Sequence, residues 1–63
     1  MKAKDLVRKL KALGATFEWG GRGSHLHVFL NGKRSIIPMH GSKDLKAGTL
    51  RAIKRDLGLK KEI

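Results

Sequence analysis

Asn31-Gly32 stands between two six-residue runs, His25–Leu30 and Lys33–Pro38, and constrains the fold more than any other feature of the chain. A two-residue hairpin turn of this kind needs positive φ at its central positions, which asparagine and glycine tolerate. It also locks the flanking strands into one register, with Leu30 opposite Lys33, Val28 opposite Ser35 and Leu26 opposite Ile37. That face is largely apolar and should meet a hydrophobic layer. The other face then carries His25, His27, Phe29, Arg34 and Ile36. A slip of one residue would bury both histidines and Arg34 while exposing aliphatic side chains, so the register is strongly determined.

The segments around the hairpin supply the covering layer. From Lys2 to Leu13 the apolar residues Ala3, Leu6, Val7, Leu10 and Leu13 fall on one helical stripe, and Gly14 offers a left-handed stop. Lys4, Arg8 and Lys11 take the opposite side, a wet face or an anion-facing stripe. Ala15 to Trp19 alternates as a strand, with Ala15, Phe17 and Trp19 on one side and Thr16 and Glu18 on the other. Trp19 is divided between core and rim. Gly20-Gly21-Arg22-Gly23 forms a loop whose backbone amides can approach a phosphate closely. Pro38 lacks an amide hydrogen and ends the ladder, and His40 to Asp44 is a polar connection. A second helix runs from about Lys46 to Leu57 on a stripe of Leu50, Ile53 and Leu57, with Gly58 as its stop, and residues 60–63 form a frayed tail. The order predicts an α+β fold: helix, three-stranded antiparallel sheet, helix. Each helix has one apolar stripe and the sheet one apolar face, so both helices pack on one sheet face. The opposite face stays in water.

Composition bounds what such a body can do. The 63 residues make one domain, 1–63, below the roughly 70–80 residues at which a single core becomes comfortable. There is no cysteine, which excludes disulfides and thiolate zinc sites and suits a reducing cytoplasm. No apolar run long enough to span a membrane occurs, and no signal segment follows the basic start. Fifteen Lys and Arg against five Asp and Glu give a net charge of +10, spread along the chain. A solvated surface or an anionic membrane surface are the bland explanations. A charge of this size on so small a domain points first to nucleic acid and second to an acidic protein partner.

His25 is the residue on which chemistry can be built. It sits at the strand entrance beside the glycine loop, and imidazole changes protonation near neutral pH. It can remove the proton from a ribose 2′-hydroxyl, whose oxygen then attacks the adjoining phosphorus. No metal or other cofactor is required, because the nucleophile belongs to the substrate. Positioned general bases contribute about 10²–10⁴-fold, and cationic groups stabilise the charge that develops on phosphorus. Arg22, Gly23, Ser24, His27, Arg34 and His40 are candidates to hold the RNA. His27, one side-chain period along the strand, is either a second acid or base or a polar surface residue. His40 follows the third strand and is either near His25 or a satisfied loop histidine. A His25-x-His27 metal pair would lack a cysteine or a clear carboxylate to complete it, so no metal site is expected. Phe29 and Ile36, apolar on a wet face, suit a stacked base or a protein partner.

The opening helix, the triplet Gly23-Ser24-His25, the run Pro38-Met39-His40 and the run from Asp44 to Leu50 occur in the order and spacing of a known family. In these features the chain resembles the HicA toxins, the messenger-RNA-cleaving halves of toxin–antitoxin pairs. The resemblance implies a fold like the double-stranded-RNA-binding domain and ribosome-independent RNA cleavage dependent on His25. It also implies a HicB-like antitoxin that covers the active face and forms a hetero-oligomer with the toxin, for which Phe29 and Ile36 are the candidate antitoxin-facing residues. Two competing readings are a non-catalytic double-stranded-RNA-binding module and a pure interaction protein. The first expects a lysine cluster where Ala47-Gly48-Thr49 stands.

Overall fold

The hairpin turn closes as its residues require, with φ of 52° at Asn31 and 77° at Gly32. In the computed structural model, which describes residues 1–21, 25–39 and 44–59, this turn joins strands β2 (His25–Leu30) and β3 (Lys33–Pro38). Strand β1 (Thr16–Trp19) precedes them, and helices α1 (Ala3–Ala12) and α2 (Ala47–Asp56) flank the sheet in sequence. The sheet is antiparallel in the order β1-β2-β3. Its β2–β3 pairing sets Leu30 against Lys33, Val28 against Ser35 and Leu26 against Ile37, the register the turn dictates. The β1–β2 pairing sets Phe17 against Val28 and Glu18 against His27.

Alternation along β2 shows which face is covered. Leu26, Val28 and Leu30 are buried, whereas His25 and Phe29 are exposed and His27 is half-buried. The buried set forms one core with Ile37 of β3, Ala3, Leu6 and Leu10 of α1, Ile53 of α2 and Leu57 just beyond it. Both helices therefore lie on the same side of the sheet. Val7, Phe17 and Leu50 pack around this core. Each helix is one residue shorter at both ends than its apolar periodicity predicts. Leu13 accordingly falls past the end of α1 and is exposed.

The two helices end in the same device. Gly14 adopts φ 97°, its amide donates to the Lys11 carbonyl, and the Ala15 amide donates to the Leu10 carbonyl. Gly58 adopts φ 70°, its amide donates to the Arg55 carbonyl, and the Leu59 amide donates to the Lys54 carbonyl. This paired pattern satisfies carbonyls that would otherwise be orphaned at a helix end, and it turns the chain back toward the core.

Two contacts were not legible in the local pattern. The buried Ser35 hydroxyl donates to the Asp56 carboxylate at 3.0 Å, pinning the end of α2 to β3. Lys2 and Asp44 form an antiparallel bridge, beside which the Leu45 amide donates to the Met1 carbonyl at 2.8 Å. The segment read as a purely polar connection is thus tied, at Asp44, to the start of α1.

Candidate active site on the open sheet face

The face of the sheet opposite the helices is built by alternate residues of all three strands. Thr16 and Glu18 come from β1, His25, His27 and Phe29 from β2, and Arg34, Ile36 and Pro38 from β3. Cross-strand pairing brings Glu18, His27 and Ile36 into one row and Thr16, Phe29 and Arg34 into the next. His25 stands opposite Pro38 at the end of the sheet where the glycine-containing segment enters.

His25 is exposed, and its backbone is fixed by the strand ladder: the Gly20 amide donates to its carbonyl at 2.9 Å. The imidazole is therefore open to solvent on a residue paired into the sheet, where a general base can meet an incoming hydroxyl. His27 is held differently. It is half-buried, and its ring lies so close to Gly20 that a Cβ on that residue would come within 3.1 Å of Nε2. Gly20 thus leaves the slot that His27 occupies. The sequence shows Gly20 only as part of a flexible loop, and no local signal ties it to a residue in the next strand.

Phe29 and Ile36 are 36% and 45% exposed, which makes them a genuine apolar surface rather than core. Arg34 is exposed and is the cross-strand neighbour of Phe29. The structure thus gathers His25, His27, Phe29, Arg34 and Ile36 on one face. Arg22, Gly23, Ser24 and His40 lie outside the described residues. Trp19 sits on the helix side by register, opposite Leu26, yet is 56% exposed because it ends a strand at the sheet edge.

Other chemistry has less to build on here. Among the described residues no three His, Cys, Asp or Glu side chains come together as a metal-binding group. No described helix is long and apolar enough to cross a membrane. The described ion pair of Arg8 with Asp5, at 3.8 Å, lies on α1, which packs on the sheet face opposite His25 and His27.

Comparison with known proteins places this geometry in a family. Residues 3–59 match the model described as the HicA toxin of bacterial toxin–antitoxin systems. A protein of Pseudomonas fluorescens named a probable mRNA interferase HicA is 45% identical over 60 residues, covering 95% of this chain and 98% of that one. Two proteins of Photorhabdus laumondii, also named probable mRNA interferases HicA, are 42% and 39% identical over 95% and 94% of this chain. No solved structure matches the chain, so the likeness to a double-stranded-RNA-binding domain rests on the sequence resemblance alone. With the family model covering nearly the whole chain and its relatives matched end to end, this protein belongs to the HicA toxin family.

Proposed function

We propose that this chain is the toxin of a toxin–antitoxin pair and acts as an endoribonuclease on messenger RNA in the cytoplasm, with His25 as its general base. The observation that carries the reading is the position of His25, an exposed imidazole on a fixed backbone at the uncovered side of a sheet. The names of the relatives support the same activity. His25 takes the proton of a ribose 2′-hydroxyl, and the oxygen attacks the neighbouring phosphorus. The bond to the 5′-oxygen of the next nucleotide breaks, and that oxygen leaves with a proton from water or a second acid. The products are a 2′,3′-cyclic phosphate and a free 5′-hydroxyl. Arg34, with the net charge of +10 around it, draws the phosphates to this face. Arg22, Gly23, Ser24, His27 and His40 are the further candidates to hold the strand. A HicB-family antitoxin covers the same face, with Phe29 and Ile36 as its apolar anchors.

The test uses purified protein and a His25→Ala variant on single-stranded RNA in EDTA. Wild type cleaves, and the variant loses about 10²–10⁴-fold in rate while keeping salt-sensitive RNA binding. Equal cleavage by both proteins removes His25 from the mechanism. Abolition of wild-type cleavage by EDTA removes metal independence. Binding to duplex RNA without any cleavage would favour a non-catalytic binding module instead.

A further inference from the structure

The helix layer carries a second feature that cleavage does not use. Along one flank of α2, beside the edge of the core, runs an open groove of about 590 Å³. Leu50 and Leu59 form its apolar floor, and Arg51, Lys54 and Arg55 form its walls, with Gly58 at one end. No carboxylate lines it among the described residues, because Asp56 points the other way, to Ser35 on β3. Lysine and arginine in the last turn complement the helix dipole, which accounts for Lys54 and Arg55. That explanation does not reach Arg51, in the middle of α2, which stands one turn before Arg55 on the same side. Both arginines are exposed.

We propose that this groove receives an acidic amphipathic segment of the antitoxin, its apolar side chains on Leu50 and Leu59 and its carboxylates on Arg51 and Arg55. The proposal rests on the toxin–antitoxin reading above. Charge complementarity selects an anionic occupant, and the apolar floor selects a protein over a nucleic acid. Aliphatic side chains give a phosphate backbone nothing to bind and lack the ring faces on which bases stack. Position argues the same way. The groove lies on the helix side of the sheet, whereas a strand held for cleavage at His25 lies on the other. A second copy of this chain is disfavoured, since each copy brings a charge of +10 to a site already walled with cations. The antitoxin would then grip both layers, silencing the toxin on one and anchoring to it on the other.

The test measures binding of the purified HicB-family antitoxin to wild type and to an Arg51→Glu/Arg55→Glu variant by calorimetry. The variant should bind the antitoxin about tenfold or more weakly, through lost attraction and added repulsion. Its circular dichroism and its cleavage rate at saturating RNA should stay at wild-type values, and the lowered net charge should weaken RNA binding less than it weakens antitoxin binding. Unchanged antitoxin affinity overturns the proposal, and so does a loss of RNA affinity as large as the loss of antitoxin affinity. An Ala47→Cys variant gives an independent readout, because the chain has no other cysteine and Ala47 lines the groove. Bound antitoxin should slow alkylation of that thiol, and an unprotected thiol overturns the proposal. A wild-type protein that neither cleaves RNA nor binds the antitoxin defeats the toxin reading itself, which is a different result from a groove variant that binds normally.

Discussion

Val28 and Phe29 are neighbours on one strand, and their surroundings have almost nothing in common. Val28 is fully buried between Phe17 and Ser35 in the layer that both helices cover. Phe29 points the opposite way, 36% exposed, between Thr16 and Arg34. The covered face is largely apolar, and the one buried polar side chain among the described residues is matched by a specific acceptor on α2. The open face mixes imidazole, carboxylate, guanidinium and apolar groups in adjoining rows. A sheet packed on one side only can divide its work in this manner. One set of alternate residues holds the fold, and the other is free to meet a ligand without disturbing it.

Identical substitutions at the two neighbours should break that comparison or sharpen it. Val28→Asp places an unpaired charge in the core at a cost of several kcal/mol. A core of this size rarely supplies more than about 3–5 kcal/mol, so the variant should be unfolded by circular dichroism and lack a cooperative thermal transition. A folded Val28→Asp protein would show that the covered face is not the core. Phe29→Asp should stay folded with a thermal midpoint near wild type and lose about 2 kcal/mol or more of antitoxin binding, as expected of an exposed aromatic anchor. Loss of its folded signal would move Phe29 into the core and undo the two-faced description. The smallest effect belongs to the polar contact between the layers. Ser35→Ala removes the hydroxyl that donates to Asp56, and should cost about 1–2 kcal/mol of stability while leaving RNA cleavage by folded protein unchanged.

The parts of this arrangement that local chemistry determines were legible in the sequence. Asn31-Gly32 dictates a positive-φ turn, the turn dictates the register, and the register sorts every residue of β2 and β3 onto its face. Gly14 and Gly58 mark both helix ends for the same reason, since a left-handed residue closes each helix. Contacts between residues far apart in sequence were not legible. Ser35 reads as one more position on the covered face until Asp56, from the last turn of α2, is seen to accept its hydrogen bond. Gly20 reads as slack until His27 is found lying against it. Trp19 illustrates a third limit. Alternation assigns its face correctly, but its exposure depends on its place at the end of a strand with no neighbour beyond it. The site itself was only partly readable for the same cause. The strand pattern places His25 on the open face, while the groove along the flank of α2 emerges only once the helix is seated on the sheet.

The bridge between Lys2 and Asp44 has a kinetic consequence. It joins segments separated by the whole sheet in sequence, so closing it early costs about 2 kcal/mol more loop entropy than closing the short hairpin. The hairpin around Asn31-Gly32 joins near neighbours and can form within microseconds. Strand pairing should therefore come first and draw the two helix starts together, with the bridge fastening late, as a clasp on a body already assembled.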